Sequence, residues 1–416
     1  MRDLASKILT KQWHPVTNPD GLVNLGTAEN YLMLDDVAKF VKSQDLNLQG
    51  DDFNYGEGPW GSVRLRTAMA NFINSHFSPT TPLKPGELTL TNGCSSLFNM
   101  LGHVLGDGAG DGILLTMPSY VAFQSDFGLL AKMTPIFVPF AGVDQFAPES
   151  LSCYEAARQK AEEQGVRIRA LMLCNPHNPL GRCYPASTLT ALLKFCAQHK
   201  IHLLADEIYA MSVYSTPSSP SSSSSCVPFT SILSLPWTQY ISPDYLHHVY
   251  GLSKDFASGG LRIGSLWTQN AELQRAVSAI AMFHWSGTVN DVLAATILGD
   301  SDFVDSFLEK SRKRLADANA LARKVLDEAG ICYAPGTNAG FYLWIDLSPW
   351  LREEGGEDGW EREGKLAERL LKEKLFLTGG GMQAAEQPGW FRLVFSNKEV
   401  VLKEGLKRLR KVLDGK

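Results

Sequence analysis

The chain has 416 residues, 44% hydrophobic and 20% charged, which is enough for two domains. A net charge of -5 and an isoelectric point near 6.0 argue against nucleic acid or an acidic membrane surface as partner. Seven cysteines, odd in number and without CxxC spacing, argue against a disulfide framework or a zinc site, so the expectation is a metal-free protein of a reducing compartment. The opening MRDLASKILTKQWHP lacks the apolar centre of a secretory signal, and no stretch approaches the roughly 20 apolar residues that span a bilayer. A cytoplasmic location is expected, with no membrane partner.

Residues 1–48 read as an N-terminal arm that joins a smaller domain without a core of its own; it carries a helix from Leu34 to Lys42 and the run LGTAEN, Leu25 to Asn30. From Glu87, short apolar runs alternate with amphipathic segments: LTLT, ILLTM, IFVPF, ALMLCN, HLLAD, HHVYG and IGSLW. That alternation predicts an α/β fold over 49–302, a mostly parallel seven-stranded central sheet with helices on both faces. Ligands of such sheets sit beyond the carboxyl ends of the strands. Residues 303–416 read as a connector helix, Phe303 to Ala329, stopped by Gly330, followed by a small α+β domain. Its strands are predicted at Gly340 to Ile345 and Trp390 to Phe395, its helices at Glu361 to Lys374 and from near Lys398. The serine run 215–226 cannot bury apolar area and predicts a surface loop. GDGAGDG, Gly106 to Gly112, follows a helix and precedes a strand, the reverse of a dinucleotide-binding loop, and reads as a turn.

Polar residues gather at the predicted strand ends. In VYGLSKDFASGGLRIG, Val249 to Gly264, Lys254 is a candidate Schiff-base former: burial beside a second cation, Arg262, disfavours its charged form. A solvated loop lysine has the same local sequence. Asp206 ends HLLAD and could hold a buried cation, although an acidic pair there also fits a helix cap or a metal ligand; Tyr209 lies three residues on. NPHNPLG, Asn175 to Gly181, is a rigid turn that carries Asn178. TNGCSS closes a strand and opens a helix, so Gly93, Cys94 and Ser95 make an anion site to which Ser253 and Arg262 add a hydroxyl and a guanidinium. Tyr120 follows the next strand, where a rim or core tyrosine is equally at home. Arg392 stands in the apolar strand WFRLVFS, a costly place for a charge unless an internal salt bridge or a bound anion pairs it.

In this order the motifs resemble those of the class I/II aminotransferases, the fold-type-I pyridoxal 5'-phosphate enzymes, from about Leu25 to Ser396. The resemblance implies that Lys254 carries the cofactor and Asp206 lies beneath its pyridine nitrogen. It also implies that Tyr209 and Asn178 reach its phenolate oxygen, that Tyr120 stacks on the ring, and that Arg392 clamps an amino-acid carboxylate. Tyr55, in FNYGEGPWGSVRLRTAM, matches a tyrosine that in relatives crosses a dimer interface to the partner's cofactor, so a homodimer with shared active sites is implied. LGTAEN, with Glu29, and the Ser-Lys-Asp opening at Ser253 are similar to the 1-aminocyclopropane-1-carboxylate synthase-like branch. That branch directs the expectation to elimination or cyclisation of an α-amino acid with a β or γ leaving group, S-adenosylmethionine among them, with Lys254 as base and Glu29 at the substrate. An aminotransferase is the alternative reading, and a non-catalytic cofactor-binding regulatory protein is a third.

Overall fold

A computed structural model describes residues 12–46, 48–215 and 226–415. The opening eleven residues and the interior of the serine run lie outside the described residues, and with them the readings made there.

The seven apolar runs form strands: β1 (Leu88–Thr91), β2 (Asp111–Thr116), β3 (Thr134–Val138), β4 (Arg167–Cys174), β5 (His202–Asp206), β6 (Leu246–Gly251) and β7 (Gly264–Thr268). They lie in the order β1-β7-β6-β5-β4-β2-β3, with only β7 antiparallel to its neighbours. Successive side chains leave opposite faces of a strand. In β4, Leu171 and Leu173 therefore enter one core, while Ala170, Met172 and Cys174 enter the other. Burial on both faces explains why these runs are continuously apolar rather than alternating.

Register decides where the chemistry falls. Cys174 pairs with Asp206, and Asp206 with Val249, so β4, β5 and β6 run out at nearly one level. The segments that follow, from Asn175, from Asp206 and up to Lys254, emerge side by side at the carboxyl edge.

A second sheet, β8 (Cys332–Tyr333), β9 (Tyr342–Asp346), β10 (Thr378–Gly379) and β11 (Trp390–Val394), is antiparallel in the order β10-β11-β9-β8. Helices Gly359–Lys372 and Glu399–Leu413 pack against it. The helix Ser301–Glu328 starts on the Asp300 side chain, which accepts from the Phe303 amide at 2.9 Å, and Gly330 follows it at φ +66°. Its first turns bury Val304, Phe307 and Leu308 in one core, and its later turns bury Leu315, Ala322 and Leu326 in the other. One long helix thus ties the two sheets together.

The N-terminal arm differs from its sequence reading. Val23, Leu25 and Met33 are fully buried, and Val23–Asn24 pairs in parallel with Leu375–Phe376. Gly405 makes room for this: a Cβ there would stand 2.4 Å from Leu25 Cδ1. A two-residue strand has no periodicity to detect, which is why these residues read as an arm without a core. GDGAGDG is a turn entering β2, as its order in the chain required. Among the described residues no helix is long and apolar enough to cross a membrane.

Candidate active site

The strand ends enclose a cleft of about 160 Å³, walled by Lys254, Asp206, Tyr209, Asn178, Tyr120 and Glu29 together with Cys94, Ser95, Ser253 and Arg262. Lys254 is half-buried and its Nζ donates to Ala28 O at 2.6 Å. Burial, and then the Arg392 charge, bring its pKa down to about 8 against the pull of Glu29, Cys94 and Asp206. An amine in that state is neutral often enough near physiological pH to act as nucleophile and base.

Asp206 is buried and accepts the Ile208 amide at 3.2 Å; burial pushes its carboxyl up to about 7. A carboxyl so placed gains by facing a cation. Glu207, pointing the other way from the strand end, is fully buried and satisfied by Ser231 Oγ, Ile232 N and His248 Nε2 at 2.6, 2.7 and 3.0 Å. The acidic pair is therefore split between site and scaffold. No metal-binding group of His, Cys, Asp and Glu occurs among the described residues. Tyr209 is buried, edge-on to Phe341 and Tyr342 at 5.2 and 5.6 Å. Tyr120 lies edge-on to Phe123 at 5.2 Å and borders the same cleft.

An anion cup forms where β1 turns into the helix Cys94–Leu105. Gly93, its N-cap, adopts φ +108°, and a Cβ there would lie 2.5 Å from Arg262 Nη2. Its own amide is not offered to a ligand, since it donates to Thr91 O at 2.8 Å. What Gly93 contributes is room for the guanidinium. The amides of Cys94 and Ser95 belong to the first turn, which leaves donors without intrahelical partners. The Cys94 thiol is driven upward in pKa by burial and donates to Tyr250 O, so it is no thiolate. Arg262 completes the cup from a left-handed backbone, φ +53°, a conformation costing roughly 1–2 kcal/mol outside glycine. Strain of that kind is kept where a side chain must be aimed.

Arg392 stands one layer behind the cleft wall. It is 4% exposed; Nη1 donates to Asn178 Oδ1 at 2.9 Å, Nη2 to Gly26 O at 2.7 Å, and the guanidinium lies 5.4 Å from the Tyr342 ring centre. Nε is buried without a partner, and both contacts of the charge are neutral oxygens. The internal salt bridge open to it on sequence grounds is not there among the described residues. Glu29 is exposed at the mouth, close enough to raise the Lys254 pKa.

Tyr55 is apart from this cleft. It is 84% exposed in a separate groove, its ring 5.5 Å from that of Trp285. Within one chain it joins none of the other site residues.

Two contributions were missed in the sequence. Backbone carbonyls of LGTAEN, at Gly26 and Ala28, hold the two site cations, and no residue-type signal announces a carbonyl. Asp255 is buried and accepts from Met211 N, Ser212 Oγ and Tyr250 OH at 3.0, 2.5 and 3.0 Å. It ties the turn after Tyr209 to the lysine loop, and its place next to Lys254 was the available signal.

These residues fit pyridoxal 5'-phosphate. An amine of lowered pKa, a buried carboxyl that burial keeps short of full charge, a cup in which Gly93 leaves room for the Arg262 guanidinium, and an orphaned guanidinium nitrogen are what its aldehyde, ring nitrogen, phosphate and amino-acid substrate require. The chain belongs to the aminotransferase class I and II family, whose sequence model matches residues 20–409. It is a pyridoxal-phosphate-dependent enzyme of lyase or aminotransferase type. The chain is 33% identical over 408 residues to the bovine (Bos taurus) 1-aminocyclopropane-1-carboxylate synthase-like protein 1, covering 96% of this chain and 77% of that one. To 1-aminocyclopropane-1-carboxylate synthase 6 of rice (Oryza sativa subsp. japonica) it is 31% identical over 420 residues, with 97% and 74% covered. Among solved structures, the aromatic aminotransferase of Pyrococcus horikoshii shares the fold, with a TM-score of 0.74 at 23% identity over 96% of this chain and 97% of that one.

Proposed function

We propose that the protein carries its cofactor on Lys254 and acts on an α-amino acid with a leaving group at the β or γ carbon, eliminating it or closing a ring. When bound, the cofactor supplies an electron sink for negative charge at the substrate α-carbon. The remaining work falls to side chains. Arg392, buried and without a carboxylate partner, is the observation that carries the reading: it holds the substrate carboxylate by exchanging neutral oxygens for charged ones. Lys254, near half-neutral at pH 8, takes the α-proton. Asp206 would hold the ring-nitrogen proton, Tyr209 and Asn178 would donate to the phenolate oxygen, and Tyr120 would cover the ring face. Cys94 and Ser95 amides with Ser253 and Arg262 would hold the phosphate.

Glu29 supports a leaving group that is positively charged, because a carboxylate at the mouth stabilises a cation approaching Lys254. A sulfonium substrate such as S-adenosylmethionine has that charge, and the likeness to the bovine synthase-like protein and the rice synthase favours the same branch. We read 49–302 as the cofactor-binding domain and 1–48 with 303–416 as the smaller one. We also read the protein as a homodimer in which Tyr55 serves the partner's site; its exposure in a groove beside Trp285 supports this.

Incubation with S-adenosylmethionine, cysteine conjugates and common amino acids, with and without a 2-oxo acid, tests the reaction. Release of methylthioadenosine, a thiol or ammonia without a 2-oxo acid is expected. Amino transfer that requires the 2-oxo acid, as the sole activity, would establish the aminotransferase alternative. A non-catalytic protein would leave every amino acid unchanged.

A further inference from the structure

Beside the anion cup stands a carboxyl that the reading above does not use. Asp126 lies on the short helix Phe123–Gly128, packed against the first turns of the helix Cys94–Leu105. The Ser95 hydroxyl lies near its carboxyl and favours the charged form, and the Asn99 side chain donates to its main-chain carbonyl at 3.3 Å. Carboxyl oxygen Oδ2 is buried and has no hydrogen-bond partner. The titratable groups that face it are Cys94 and Tyr120 at the cleft wall and Asp206 across it, and none of them supplies a positive charge.

A carboxylate here would repel the dianionic phosphate that the cup is built to hold, and it would keep the Ser95 hydroxyl turned away from that phosphate. A carboxylic acid removes the repulsion, leaves no uncompensated charge at the orphaned oxygen and frees Ser95 to donate to the ligand. We propose that Asp126 is a positioning residue of the phosphate cup, held as the neutral acid whenever a phosphate ester is bound, so that cofactor binding takes up one proton from solvent at this carboxyl. Burial already pushes the free group up to about 7 against the pull of the Ser95 hydroxyl, and the charge of a bound phosphate pushes it higher. The sign follows from linkage: below pH 7 the proton is present before binding and affinity is flat, whereas above pH 7 each unit weakens phosphate binding by up to about tenfold. The inference rests on the cup being the cofactor's phosphate site.

Pyridoxine 5'-phosphate, which lacks the aldehyde, is the probe. Its affinity for cofactor-free wild-type protein and for Asp126→Asn is measured by calorimetry from pH 6 to pH 9, in buffers of different ionisation enthalpy. Titration of the probe and of Lys254 is common to both proteins and cancels in the difference. Wild type is expected to lose roughly 30- to 100-fold more affinity than D126N between pH 7 and pH 9, and to take up nearly one more proton on binding at pH 8. Superimposable pH profiles with equal proton uptake would overturn the role of Asp126 while leaving the cup intact. Failure of wild type to bind the probe or to form an adduct at Lys254 would overturn the cup and this inference together. Infrared difference spectra of wild type on probe binding at pH 8 give a check that needs no variant. A new carboxylic-acid carbonyl band is expected, and its absence would contradict the proposal.

Discussion

Lys254 borders the cleft and Arg392 stands behind its wall, and the guanidinium charge disfavours protonation of the lysine. The rate of aldehyde addition to cofactor-free protein should therefore rise with pH to a half-maximum near pH 8, well below that of a solvated lysine near 10.4. In Arg392→Gln the midpoint should move upward, because a cation that disfavours protonation is gone; an unmoved midpoint would mean that burial alone sets it. The same variant should lose about 100-fold or more in kcat/KM for an amino acid, the loss of a charge-assisted pair of roughly 3 kcal/mol, with cofactor binding nearly intact. Steady-state kinetics beside cofactor titration separates these effects.

At the level of elements, the β1-to-helix junction shows how backbone geometry and side-chain placement are joined. Gly93→Ala would add strain at φ +108° and drive a methyl into the Arg262 guanidinium, so phosphate affinity should fall by roughly 10- to 100-fold while Lys254 keeps its lowered pKa. Equal affinity in the variant would show that Arg262 does not need that space. The central strands were legible in the sequence because burial on two faces writes continuous apolar runs, and the site was legible because it falls at their ends. The pairing of Val23–Asn24 with Leu375–Phe376 was not, since two residues carry no period. Nor were the roles of Gly26 O and Ala28 O, which depend on backbone direction rather than residue type. Arg392 was marked by its apolar strand, but only packing could show that its partners are neutral and that it stands behind Asn178.

Across the whole molecule, Asp126, Asp206 and Asp255 each have a pKa raised by burial to about 7. Their folded values lie above the unfolded value near 3.9, so their contribution to stability is full below pH 4 and is lost as pH rises through 7. Lys254 acts in reverse, its cost persisting below pH 8 and easing above. Burial lowers the pKa values of His177, His202 and His247, so these imidazoles act against the three carboxyls below about pH 6.5, where the unfolded chain would protonate them. For the assembly, Tyr55→Ala mixed and refolded with Lys254→Ala should regain about a quarter of wild-type activity through the one intact site of each heterodimer, whereas no recovery would place Tyr55 outside the partner's site. Borohydride reduction of the cofactor-loaded protein followed by peptide mapping shows whether the cofactor aldehyde is bonded to the half-buried amine of Lys254. A single pyridoxyl group is expected on Lys254 of the peptide spanning LSKDFASGGLR; a pyridoxyl group on another lysine, or none at all, would rule out that bond.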